Sequence, residues 1–105
     1  MNFVMPKIYE YLGILLFFYS NEHEPVHVHA KYNEFEISAE FVIINGKIEE
    51  IRIKPVKGRK PMSGNKLKDF KEFISLYGDR IVEKWVDYFV YHKEIAFERI
   101  NTPVK

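Results

Sequence analysis

Apolar and polar residues alternate strictly over two stretches of this chain and recur at three- and four-residue intervals over a third. Residues 26–32 place Val26, Val28, Ala30 and Tyr32 on one side and His27, His29 and Lys31 on the other. Residues 35–43 place Phe35, Ile37, Ala39, Phe41 and Ile43 opposite Glu36, Ser38 and Glu40. A period of two is that of a half-buried strand. Closing the pair tightly at Asn33-Glu34 sets Tyr32 against Phe35, Ala30 against Ile37 and Val28 against Ala39. On the opposite face it sets Lys31 against Glu36, His29 against Ser38 and His27 against Glu40. Directly opposed Cβ atoms lie ~5 Å apart, which places Glu40 to orient His27 or to share a ligand with it.

The remaining elements follow from the same patterns. Residues 12–19 form one continuous apolar run and predict a buried, central strand. Residues 20–25 carry Ser, Asn and Pro, the chemistry of a turn. Asn45-Gly46 marks a second hairpin. A two-residue loop there would bring Glu50 and Arg52 to the core face. An odd-length loop, with Gly46 at the positive φ of a bulge, brings Ile51 and Ile53 there instead and is the one predicted. Residues 54–64, with Pro55, Gly58, Pro61 and Gly64 among cations, predict a loop. Leu67, Phe70, Phe73, Ile74 and Tyr77 then recur at helical spacing, with Ser63 or Asn65 as N-cap. Gly78-Asp79 predicts the end of that helix and the cap of another, whose stripe is Ile81, Val82, Trp85 and Phe89. Residues 95–100 read as a last strand. The expected fold is one α+β domain over residues 1–105. Its small, mostly antiparallel sheet of four or five strands carries two consecutive helices, 67–77 and 79–89, on one face. The other face, with His27, His29, Lys31, Glu36, Ser38 and Glu40, is expected to be partly open to solvent or a partner.

Composition narrows the functional classes. A chain of 105 residues with 47% hydrophobic and 16% aromatic content can bury one core without staples. The absence of cysteine excludes disulfides and thiolate metal sites. No apolar run is long enough to span a bilayer, so no membrane partner is expected and a cytoplasmic protein is. The net charge of +1 conceals an asymmetry. Arg52, Lys54, Lys57, Arg59, Lys60, Lys66, Lys68 and Lys71 face only Asp69 in their stretch, while the preceding half is rich in Glu. Lys57, Arg59, Lys60 and Lys66 are therefore the candidate contacts for an anion or a nucleic acid; Tyr9, Tyr11 and Tyr32 could stack on bases, but tyrosines at strand positions pack first and are expected in the core.

The densest chemistry is His23-Glu24-Pro25-Val26-His27-Val28-His29, which holds three of the four histidines. Neighbouring imidazoles can bind a divalent metal, move protons or hold a phosphate. The candidate metal ligands are His23, His27 and His29, and the candidate catalytic residues are His27, His29 and Glu40. Against a metal, ligands at i and i+2 on a flat strand splay apart. No nucleophile elbow, phosphate loop or dinucleotide fingerprint is present.

Met5-Pro6-Lys7-Ile8, Gly13-Ile14 in an apolar stretch, the His-x-Pro-x-His-x-His run and the late Trp85 together resemble the bacterial family known as domain of unknown function 4160, from Met5 to about Ile100. In the family's usual motif an Asp precedes the first histidine and a second Pro follows the first. Here Glu22 and Val26 stand at those positions, and the loop 54–64 is longer and more basic. Family members tend to begin at a residue equivalent to Met5, which would make Met1 to Val4 an extension. The resemblance implies a small toxin–antitoxin-like component, encoded beside a companion small protein, with His23, His27 and His29 as motif residues. The leading expectation is binding of a protein or nucleic-acid partner through the histidine face, with self-association into a homo-oligomer open. The alternative is a small hydrolase, a phosphodiesterase or ribonuclease, using His27 and His29 with or without a divalent metal.

Overall fold

The computed structural model describes residues 5–22 and 24–104. The chain runs β1 (Lys7–Tyr11), β2 (Ile14–Phe17), β3 (His27–Tyr32), β4 (Phe35–Ile44), β5 (Lys47–Pro55), α1 (Gly64–Phe89) and β6 (Glu98–Ile100). The strands form one sheet in the order β5-β4-β3-β2-β1-β6. All neighbours are antiparallel except β1 and β6. This is an α+β fold, with six strands and one helix among the described residues where four or five strands and two helices were expected.

Each difference has a local cause. The apolar run of residues 12–19 is not one strand. Leu12 and Gly13 both have positive φ, 49° and 86°, and fold a two-residue turn between β1 and β2. The turn adds β1, a strand the apolar pattern did not single out. Gly78 does not end the helix. A Cβ built there would lie 3.1 Å from Ile48 Cδ1 and 3.5 Å from Phe41 Cε1, so this glycine lets the helix approach the β4–β5 hairpin closely. With that contact made, the two predicted stripes merge into one buried face, Phe70, Phe73, Ile74, Gly78, Ile81 and Trp85. Ser63 is the N-cap residue, as one of the two candidates.

The β3–β4 register is the one the alternation predicts, from His27 opposite Glu40 to Tyr32 opposite Phe35. In the next hairpin Ile51 and Ile53 do come to the core side, opposite Phe41 and Ala39, but not through an odd loop. Asn45 and Gly46, with φ of 53° and 77°, close a two-residue turn. The parity changes further on, where the register shifts between Val42 and Ile43 and leaves Glu49 unpaired as a bulge. That bulge, the charges of β5 and Pro55 blunt this edge against further pairing.

One face of the sheet packs on α1. Tyr9 and Tyr11 meet Phe73 at ring distances of 5.2 and 4.6 Å, and Leu16, Val28, Ala30, Ile37, Ala39 and Phe41 complete the buried layer. Tyr9 and Tyr11 are core residues, as tyrosines at strand positions were expected to be. Among the described residues no helix is long and apolar enough to cross a membrane.

A candidate metal centre on the second sheet face

The second face is closed at its centre. His29 is 5% exposed and Glu36 is fully buried, although the alternation placed both outward. Strand parity explains the cover. Phe17 pairs with His29 in register and so shares its face, and Tyr19, two residues on, extends the same row. Phe17 stacks on the His29 ring at 5.7 Å and Tyr19 meets it edge-on at 4.5 Å. The loop after β5 returns beside β4, where Lys60 O accepts from Glu36 N at 2.9 Å. Arg59 from that loop reaches Glu36 Oε1 at 3.4 Å.

The two histidines of β3 do not splay. Their ring centroids are 5.1 Å apart, and both direct Nε2 at a single atom, Glu22 Oε1, at 3.2 Å for His27 and 3.1 Å for His29. The chain turns after β2 at Ser20-Asn21 and carries Glu22 back over β3, and a cis Glu24–Pro25 bond leads into that strand. The ligand atoms of Glu22, His27 and His29 all lie within 4.8 Å of one another. Ligands of a tetrahedral zinc ion at ~2.0–2.1 Å are themselves about 3.3 Å apart, close to both glutamate–histidine separations.

The outer ring nitrogens are also held. His27 Nδ1 donates to Pro25 O at 2.6 Å, and His29 Nδ1 donates to Glu36 Oε2 at 3.0 Å. With Nδ1 carrying the proton, a neutral imidazole presents a lone pair at Nε2. Two such lone pairs then face a carboxylate oxygen, an arrangement that a cation between them satisfies. This pairing of inner and outer contacts is that of metal-bound histidine. When the rings are instead protonated at both nitrogens, Nε2–H of each donates to Glu22; burial alone pushes this carboxyl up, but those hydrogen bonds and the ring charges outweigh it and hold the group below its usual value. Burial, reinforced by Glu36, raises the Tyr19 phenol to about 12. It therefore stays protonated and donates to Glu36 Oε2 at 3.1 Å.

Not every candidate from the sequence joins this cluster. Glu40 sits opposite His27 in register but is engaged by Lys54 at 2.5 Å, whose hydrogen bond lowers its pKa despite some burial. His27 takes a backbone carbonyl as its partner instead. His23 lies outside the described residues. The basic candidates do not form one patch. Lys66 donates to Leu12 O at 2.6 Å and covers the Tyr32 ring, which makes it a structural contact. Lys60 pairs loosely with Glu34 at 3.9 Å, Lys57 is exposed, and Arg59 alone reaches the cluster. Glu22, Tyr19 and Phe17 were not among the sequence candidates, and Glu36 was placed on the histidine face without a role of its own. A signal existed for Glu22, the acidic residue that precedes the histidine run.

A family model described as Domain of unknown function (DUF4160) matches residues 13–86. No curated protein and no solved structure matches the chain.

Proposed function

We propose that this chain, which belongs to the domain of unknown function 4160 family, is a divalent-metal-dependent hydrolase centred on Glu22, His27 and His29. One observation carries the reading: three potential ligand atoms converge while the distal nitrogen of each histidine is anchored to an acceptor. Two histidines and one carboxylate are a recurrent hydrolytic zinc set and leave positions for water and substrate. Glu22, His27 and His29 would hold the ion, and its chemistry there would be to bring the pKa of a bound water down toward neutrality and to polarise the bond under attack. The side of Glu22 is open, its side chain 45% exposed, and a shallow depression lined by Asn21, Glu22, Glu24, Pro25 and His27 gives access. Phosphodiesters are the favoured substrate class, because the loop that closes the site carries the exposed cations Lys57, Arg59 and Lys60.

The reading favours hydrolysis over docking through the histidine face, because the polar groups there bond to each other. The test is elemental analysis of untagged protein, followed by zinc or manganese titration and assay on bis(4-nitrophenyl) phosphate. Near-stoichiometric metal, lost in Glu22→Ala and His27→Ala but kept in Glu40→Ala, is the expected result. Metal retained in Glu22→Ala would reject the centre, and metal without turnover would reject the hydrolase.

A further inference from the structure

Glu36 stands out on this face. A carboxylate with no solvent exposure is costly in lost hydration unless donors replace the water, and its register partner across the hairpin is Lys31, a cation with which it could have paired at the surface. The side chain turns instead toward His29. Oε2 accepts from His29 Nδ1 at 3.0 Å and from the Tyr19 hydroxyl at 3.1 Å. Among the described residues Oε1 has no hydrogen-bond donor, and Arg59 Nε stands 3.4 Å from it. The sheet does not need a carboxylate here, since an apolar residue of similar volume would pack at lower cost. What the carboxylate does hold is one ring, clamped by Phe17 and Tyr19 with its Nε2 directed at Glu22.

The two histidines are treated differently. His27 is held by a neutral backbone carbonyl near solvent, whereas His29 is held by a buried anion that Arg59 covers. A carboxylate behind a ligating imidazole fixes its tautomer and makes it the stronger donor to a metal.

We propose that Glu36 is the positioning residue of the metal centre, fixing His29 as the Nδ1–H tautomer with Nε2 toward the ion and making it the tighter of the two histidine ligands. Tyr19 supports it by holding the same oxygen. This inference rests on the metal-centre reading above.

The test compares zinc affinity, by competition with a chromophoric chelator, and metal-free thermal stability in wild type, Glu36→Gln and Ser38→Ala. Ser38 lies on the same strand opposite His29 and serves as the control. The expected result is a loss of about 10–100-fold in zinc affinity for Glu36→Gln, with metal-free stability retained, because the buried charge is gone and the half-exposed Arg59 rehydrates. Ser38→Ala should bind zinc as wild type does. Unchanged affinity in Glu36→Gln would overturn the proposal, as would a fall in metal-free stability with wild-type affinity in the folded fraction. Imidazole ¹⁵N shifts of the wild-type protein supply a second measurement should Glu36→Gln not fold. Nδ1–H with Nε2 free, then zinc-bound, supports the assignment, and Nδ1 as the ligand overturns it. If wild type binds no zinc, the metal-centre reading fails. The tautomer in the metal-free protein still decides whether Glu36 fixes the ring.

Discussion

His27→Ala and His29→Ala remove residues that look equivalent in the sequence, yet their costs to the metal-free protein should differ severalfold. Removing His29 takes one of two hydrogen bonds from the buried Glu36 carboxylate oxygen, and a bond to a charged group is worth about 1.5–3 kcal/mol. It also ends the ring contacts with Phe17 and Tyr19, each worth roughly 0.5–1.5 kcal/mol. The sum is about 2.5–6 kcal/mol, a large fraction of the ~5–15 kcal/mol that holds a domain together. Removing His27 loses a bond to Pro25 O near solvent and one to the half-exposed Glu22. Water replaces both, so the cost is about 1 kcal/mol. Urea unfolding in chelator-containing buffer measures both values. Added zinc should stabilise wild type and neither variant, as a ligand bound only by the folded state must. Equal costs for the two variants would refute the reasoning, since His29 would then not be the support of a buried carboxylate.

Two further outcomes follow from the same contacts. Gly78→Ala should raise stability by up to about 1 kcal/mol through helix propensity, because the crowding atom is the end of the partly buried Ile48 side chain; Gly78→Leu should cost roughly 1–3 kcal/mol by overpacking Phe41, and a harmless leucine in thermal unfolding would mean the helix and hairpin are not in contact. The Glu22 carboxyl is held below its ordinary value of 4.5 in the folded state, hydrogen bonds from the two histidines outweighing its burial, so its contribution is present above that pH and lost as pH falls through the lower folded value. Thermal unfolding of metal-free protein against pH should show this acid limb shallower in Glu22→Gln, and parallel curves would refute the assignment.

Much of the β3–β4 hairpin was legible in the chain. A two-residue turn at Asn33-Glu34 with strict alternation on both sides admits one register that buries a whole apolar face, and a slip by one residue would expose all of it. The helical stripe from Leu67 onward and the histidine pair on one face were legible for the same reason, since periodicity is a local property. Tertiary contacts decided the rest. Gly78 breaks a helix by propensity, but the approach of Ile48 and Phe41 turns it into the point where helix and hairpin meet. Leu12-Gly13 is continuous with its apolar neighbours in sequence and becomes a turn because β1 and β2 pair. Alternation placed Glu36 and His29 outward, away from the helix, and so they are. It could not show that Phe17, Tyr19 and the 56–60 loop would close over them. Glu22 reaches the histidines through an aperiodic turn, whose path no repeat of polarity encodes. Strand faces were therefore a property of the sequence, and the centre that gathers on one of them is a property of the loops that cover it.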